Sequence, residues 1–214
     1  MTDYHVLFSG QMVRAILDGR KTQTRRTGKA WFRRYERFQA GERPWLWVRE
    51  SWATWMVAPV SGGALSRDPV DILYKADGSK AWEDMEHDRA LLRQRNIAKE
   101  DGRTGNWVAI PSTRMPRWAS RLSLEVTDMR KERLQDISEE DARAEGISRS
   151  PHGNGDQWID YPSGSSAAGW LNPRDSFRSL WNSIHGPGAW NANPEVIVIS
   201  FRVHKMNIDE VSHD

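Results

Sequence analysis

The spacing of apolar residues predicts a short helix close to the N-terminus. Met12, Ile16 and Leu17 fall on one side of a helix drawn over residues 11–18. Gly19 follows, at the position where a left-handed residue closes a helix. We therefore expect an amphipathic helix that ends just before the polar segment GRKTQTRR.

Two further helices are marked by their capping residues. In SEEDARAEG, Ser138 is the expected N-cap, acidic residues fill the first turn, and Gly146 ends the helix. Asn172 and Pro173 open the clearest helix of the chain, as its N-cap and its first helical residue. The apolar stripe of this helix consists of Phe177, Leu180, Trp181 and Ile184.

Alternating apolar residues predict strands on both sides of a less patterned middle region. One strand is expected in each of the segments PWLWVRESW, NWVAI, MPRWASRLSLEVTDMR and EVIVISFRVHK. In the last of them, one face is expected to carry Ile197, Ile199, Phe201 and Val203. The strands and helices do not alternate strictly, so a parallel doubly wound sheet is not expected.

The middle region and one later loop carry little pattern. Residues 57–105 are rich in Gly, Ser, Asp and Pro, although ILYKAD has strand character and residues 80–99 have helical composition. We interpret residues 57–105 as an insertion and residues 148–169 as a long loop. The prediction is a single α+β domain over residues 1–214, with a curved, mostly β core, flanking short helices and inserted loops.

The composition excludes several kinds of site. The 214 residues include no cysteine, so disulfides, thiolate zinc sites and cysteine nucleophiles are excluded. There is no apolar run of the roughly 18 residues that a membrane span needs and no signal peptide, so we expect no membrane partner and a cytoplasmic location. GxxxxGK[ST], GxGxxG and GxSxG are absent, and the histidines lack metal-ligand spacing, so we expect neither a cofactor nor a metal.

The net charge of +2 is unevenly distributed along the chain. Eight basic residues and one acid lie between Arg14 and Arg34, and four of the eight belong to GRKTQTRR. Guanidinium groups bind phosphates in a bidentate way and stack on bases. An RNA or nucleotide partner therefore fits this segment as well as a solvated surface strand does.

The chain resembles ASCH-domain proteins of the PUA-like superfamily, in particular those encoded by phages and prophages. The motifs that carry the resemblance are LFSGQMVRAIL, GRKTQTRR, LWVRESW, MPRWASR, LQDISEEDARAEG and LWNSIHG, over roughly residues 5–55 and 107–204. The resemblance implies a PUA-like β-barrel of the kind that handles RNA. It leaves the middle insertion without a counterpart.

Small bacterial members of that family hydrolyse N4-acetylcytidine to cytidine and acetate, and the resemblance implies their catalytic roles for Lys21, Thr24 and Glu145. Two chemical schemes are open. Either Thr24 attacks the amide with Lys21 as its base, or Glu145 activates water while Lys21 holds the oxyanion. A regular strand would turn Lys21 and Thr24 to opposite faces, so a shared site requires a turn between them.

Six further residues are expected to contact a modified nucleoside or RNA: Arg20, Arg25, Arg26, Glu50, Arg117 and Trp118. Arg26 is alternatively a buried partner of Glu50. Three other functions fit the same residues: an RNA- or nucleotide-binding module without chemistry, a ribonuclease, and a role in virion assembly.

Overall fold

The structure of the protein is a computed structural model, which describes residues 2–57, 72–79, 105–150, 157–161 and 169–211. Its helices are α1 (Gly10–Leu17), α2 (Lys29–Gln39), α3 (Glu139–Ala144) and α4 (Pro173–His185). Its strands are β1 (Asp3–Leu7), β2 (Gln23–Arg26), β3 (Trp45–Arg49), β4 (Trp52–Val57), β5 (Ile72–Tyr74), β6 (Gly105–Ile110), β7 (Ser123–Arg133) and β8 (Glu195–His204). The predicted mixture of strands and short helices is confirmed, whereas the helical composition of residues 80–99 falls outside the described ranges.

The larger sheet has five strands in the order β1-β3-β7-β8-β2. β1 and β3 run parallel, and the other neighbouring strands pair antiparallel. A bulge between Val126 and Asp128 interrupts the long pairing of β7 with β8. β1 and β2 form the two edges, so the sheet as described stays open and is not the closed barrel that was expected.

A smaller sheet, in the order β5-β4-β6, brackets the region interpreted as an insertion, and of its three strands only β5 lies wholly within residues 57–105. β5 is the strand predicted in ILYKAD, and β6 is the one predicted in NWVAI. The sheet has its own apolar cluster, in which Trp52 and Tyr74 pack with Met115. Within the described residues this sheet is also open.

The edges of the larger sheet are joined by a side chain instead of a main-chain ladder. The guanidinium of Arg26, at the end of β2, donates from Nη2 to the main-chain oxygen of Leu7, at the end of β1, at 2.9 Å. The chain then leaves β1, and the amide of Phe8 bonds back to the main-chain oxygen of Arg49 in β3. A gap between the two edge strands results, and it is the position of the candidate site.

More residues of β8 are buried in the core than a strand with one buried and one exposed face would contribute. Its four residues from Val196 to Ile199 are all fully buried, because core side chains cover both faces of β8. Val13 and Ile16 of α1 join the same core. The prediction of one apolar face on β8 is therefore too simple.

The predicted caps are confirmed. Ser138 accepts a hydrogen bond from the amide of Asp141, and Asn172 accepts one from the amide of Arg174. One helix, α2, has no counterpart in the sequence analysis. It has no side-chain cap, but Trp31, Phe32, Tyr35 and Phe38 recur at helical spacing and pack on the core, a signal that the sequence analysis did not use.

We predict that Gly146→Ala destabilises the protein by about 2–4 kcal/mol, from overpacking and a left-handed backbone. Gly146 has a φ of +82°, and a Cβ there would lie 2.7 Å from Cβ of Lys21 and 2.8 Å from Cβ of Ala15. Gly188→Ala is the matched control, since its φ is +80° with no atom within 4 Å. Urea denaturation should give about 1 kcal/mol for the control. Equal losses in the two variants would contradict the proposed crowding around Lys21.

Candidate active site

Lys21 and Thr24 line the same pocket because the chain between them is not a regular strand. After α1 the chain turns at Gly19, with a φ of +73°, and the amide of Lys21 bonds to the main-chain oxygen of Ala15 at 2.9 Å. Lys21 pairs its main chain with Glu145 in an isolated bridge, and β2 begins only two residues later. The turn at Gly19 comes before Lys21, and the irregularity between Lys21 and Thr24 is the break at Thr22, between that bridge and the start of β2.

A pocket of about 170 Å³ lies between the edges of the larger sheet, beside α4. Its inner wall holds Lys21, Thr24 and Glu145, all of which are buried. The other lining residues are Leu7, Phe8, Ser9, Met12, Arg25, Arg26, Phe177, Leu180, Trp181, Ile184 and His185. The two motif segments that implied the catalytic residues thus meet at one cavity.

Lys21 and Glu145 form a buried ion pair. Nζ of Lys21 donates three hydrogen bonds of 2.8 Å, to the main-chain oxygen of Gln23, the main-chain oxygen of Glu145 and Oε2 of Glu145. Burial lowers the pKa of Lys21, and the Glu145 carboxylate opposes that shift. Three acceptors match the three N–H donors of an ammonium group, so this arrangement holds Lys21 in its charged form.

Arg25 holds the other oxygen of the Glu145 carboxylate. Its Nη1 donates to Oε1 of Glu145 at 3.1 Å and to Oε1 of Gln23 at 2.8 Å. Its remaining donors bond to Glu132 and Asp141. Burial acts to lower the pKa of Arg25, but these three carboxylates together raise it. Arg25 was expected to contact substrate, but its donors are occupied, and the contacts make it a positioning residue for Glu145.

Two other residues of β2 keep unused hydrogen-bonding groups at the pocket. Thr24 is 2% exposed, and its hydroxyl forms no hydrogen bond with any residue that the structure describes. Arg26 is half-buried, with its guanidinium carbon 4.9 Å from the centre of the Phe8 ring. Burial lowers the pKa of Arg26, with the charge of Glu145 acting in the opposite direction. These two side chains are therefore the groups on β2 that remain available to a ligand.

Glu50 lies outside the pocket lining and has a structural partner. It is 1% exposed and forms a two-pronged ion pair with Arg121, at 2.8 Å to Nε and 2.9 Å to Nη2. Burial raises the pKa of Glu50, and the Arg121 charge opposes that shift. The alternative in which Glu50 pairs with Arg26 is wrong, and the expected contact of Glu50 with substrate has no support in this geometry.

Three other predicted contact residues also lie outside the pocket lining. Arg20 bonds to main-chain oxygens beyond α3 and to an exposed carboxylate. Arg117 pairs with Asp3 and Asp209. Trp118 is 53% exposed on the surface. The structure therefore does not bring these residues together with Lys21.

The aromatic wall of the pocket was not expected from the sequence. Phe177 and Trp181 were assigned to the core stripe of α4, and they belong both to the core and to the pocket wall. The ring of His185 stacks on Trp181 with 4.1 Å between centroids. Ile184, also assigned to that stripe, is 59% exposed and lines the pocket entrance. The sequence signal is that the apolar spacing of α4 continues to Ile184, beyond Trp181, which is the last buried residue of the helix.

Trp181 offers one further polar group. Its Nε1 is buried, and it has no hydrogen-bond partner within the part of the chain that the structure describes. A buried N–H without an acceptor is unfavourable, by about 1–3 kcal/mol. An acceptor on a ligand would relieve that cost if it reached this nitrogen.

Models of protein families, curated proteins and solved structures contain no match to this chain. Among the described residues there is no group of three or more histidines and carboxylates that would hold a metal ion. The same residues contain no helix long and apolar enough to span a membrane. The assignment of a function therefore depends on the geometry of the pocket and on the motifs.

We predict strong energetic coupling between Lys21 and Glu145 in a double-mutant cycle of Lys21→Met and Glu145→Met. Each single variant leaves a buried charge or acceptor without its partner, at a cost of about 3 kcal/mol, whereas the double variant removes both. The coupling free energy from urea denaturation should be about 1–3 kcal/mol.

The control cycle uses Arg143 and Glu139, an exposed pair at 2.9 Å in the neighbouring helix α3. Its coupling should be about 0.5 kcal/mol or less, because solvent screens exposed pairs. Equal coupling in the two cycles would show that the buried pair has no special role in the fold.

Proposed function

We propose that this protein is an amidohydrolase that removes the acetyl group from N4-acetylcytidine or a related modified nucleoside, and that its fold is a variant of the PUA-like ASCH fold. The observation that carries the proposal is the unpartnered hydroxyl of Thr24 on the wall of a pocket that also holds the Lys21–Glu145 pair. Two motif segments, chosen from sequence alone, meet at that pocket.

The size and walls of the pocket favour a single planar group. Its volume of about 170 Å³ is below the ~300–1,000 Å³ usual for drug-sized ligands. The rings of Phe177 and Trp181 provide aromatic surface of the kind on which a heterocyclic base stacks, whereas the Phe8 ring is already covered by Arg26. An acylated pyrimidine fits such a site with its sugar outside.

In the proposed reaction, Oγ1 of Thr24 attacks the carbonyl carbon of the acetyl group. The bond from that carbon to N4 breaks, cytidine leaves with a proton on N4, and water then hydrolyses the acetyl ester of Thr24 to acetate. Lys21, whose three N–H groups stay bonded to the protein, stabilises the negative charge that develops on the carbonyl oxygen through its own charge alone. The hydroxyl of Thr24 forms no hydrogen bond with a described residue, so transfer of its proton requires the acceptor to come within hydrogen-bond reach when substrate binds.

The proton of Thr24 requires an acceptor, and the contacts favour Glu145 over Lys21. All three donors of Lys21 are used in its resting bonds, so its nitrogen has no free lone pair as an ammonium. The Glu145 carboxylate has about four acceptor positions, of which Lys21 and Arg25 use two. Glu145 therefore takes the proton and returns it to the leaving nitrogen.

We predict that Thr24→Val abolishes release of cytidine from N4-acetylcytidine, with a loss on the order of 10³-fold or more in kcat/KM. Valine keeps the volume of threonine and removes only the hydroxyl. Thr22→Val is the matched control, since Thr22 has an exposed side chain in the same segment. Chromatography of the products and thermal unfolding of both variants would check the result.

Each other outcome identifies a different function. Binding of cytidine that survives in Thr24→Val, without turnover in any variant, would favour a binding module. Cleavage of RNA in EDTA that requires Lys21 would favour a ribonuclease. Full turnover in Thr24→Val with loss in Glu145→Gln would assign the attack to water and leave Thr24 a binding role.

A further inference from the structure

The charged groups on the pocket wall are unequally neutralised. Three cations line the cavity, Lys21, Arg25 and Arg26, together with one carboxylate, Glu145. Lys21 and Arg25 both pair with that carboxylate, and Arg25 has two further carboxylate partners. Arg26 has no ion-pair partner among the described residues. Within the described part of the chain, the only carboxylate found to act on Arg26 is Glu145, which Lys21 and Arg25 already share.

Arg26 also keeps most of its hydrogen-bond donors. A guanidinium group has five N–H donors, and the described contacts of Arg26 use one, from Nη2 to Leu7. Its guanidinium carbon lies 4.9 Å from the centre of the Phe8 ring, a favourable cation–π contact. Taking a cation partly out of water without a counter-charge is unfavourable. An anion that enters the pocket would supply that counter-charge and bind the free N–H groups.

Arg26 lines the same cavity as the hydroxyl of Thr24. Residues two apart in a strand share one face and lie about 7 Å apart, and both Thr24 and Arg26 line the pocket. His185 stands beside them at the exposed end of α4, and partial burial together with the charge of Arg26 lowers its pKa. A neutral imidazole there donates one further hydrogen bond.

We infer that Arg26 and His185 form an anion subsite that binds a phosphate of the substrate, so that the enzyme acts on a phosphorylated nucleoside in preference to the free nucleoside. The inference rests on the proposed function for the reaction, but the anion subsite itself is independent of turnover. The phosphate belongs either to a mononucleotide or to a residue of RNA, because both carry the same group at the end of the sugar away from the base.

A binding experiment tests the subsite without any reaction. Calorimetric titration with cytidine 5′-monophosphate and with cytidine should give at least about tenfold tighter binding of the phosphorylated form, as charge-assisted hydrogen bonds predict. Arg26→Gln should remove most of that difference, and Arg26→Lys should retain part of it. Arg33→Gln, which removes an exposed arginine outside the pocket lining, should leave the difference unchanged. Equal affinity of the wild-type protein for the two ligands would overturn the inference.

A kinetic experiment separates this role from a role in the chemical step. The substrates are N4-acetylcytidine and its 5′-monophosphate. Arg26→Gln should raise KM for the nucleotide and reduce the ratio of kcat/KM between nucleotide and nucleoside to a few-fold. An equal fall of kcat on both substrates would instead assign Arg26 to the reacting carbonyl and overturn the inference. Absence of turnover on both would reject the proposed function, and the titration would still decide the subsite.

A third substrate identifies the source of the phosphate. A short oligoribonucleotide that carries one N4-acetylcytidine has phosphates on both sides of the modified residue. Higher kcat/KM on this RNA than on the mononucleotide would identify RNA as the substrate class, and lower kcat/KM would identify free nucleotides. Either result supports the subsite only if the wild-type protein prefers that phosphorylated substrate to the free nucleoside. If it prefers neither the RNA nor the mononucleotide to the nucleoside, the subsite is contradicted.

Discussion

The buried pair of Lys21 and Glu145 is the interaction on which the site depends. It joins residues 124 positions apart in the chain, and it carries both main-chain and side-chain bonds. Neither residue is tolerable alone at this depth, because a buried charge without its partner is unfavourable by several kcal/mol. Arg25 shares the carboxylate and links the pair to Glu132 and Asp141. The segment after α1 is therefore fixed against the end of α3 by charge as well as by packing.

The open edge of the larger sheet gives this pair its access to ligand. If β1 and β2 were hydrogen-bonded to each other, their main chains would occupy the gap in which the pocket lies. Arg26 bridges the two edges through one side-chain bond to Leu7, which leaves room beside it. The same interruption protects both edge strands, since a short strand with a charged end offers little to an incoming strand.

The helices that hold the site were predictable because their signals are local. Ser138 and Asn172 mark their helix starts through one side chain each, and the spacing of Phe177 and Trp181 follows from helical geometry alone. The open sheet was not predictable, because strand order depends on contacts between distant segments. The roles of the arginines were not predictable either: Arg25 and Arg26 are neighbours in a basic motif, and only the carboxylates around each side chain distinguish them.

The burial of the lining residues orders the pocket from its inner end to its entrance. Lys21, Thr24 and Glu145 are almost fully buried, whereas Ile184 and His185 at the end of α4 are exposed. A substrate of the proposed reaction would therefore enter with its acetyl group first, while the rest of the molecule stays near the entrance. In that reaction the inner residues would select for the group that is cleaved, because any ligand that reaches them has lost its water. The residues at the entrance would select for the part of the molecule that is attached to the cleaved group. A large substrate is therefore admissible when one of its bases extends into the pocket.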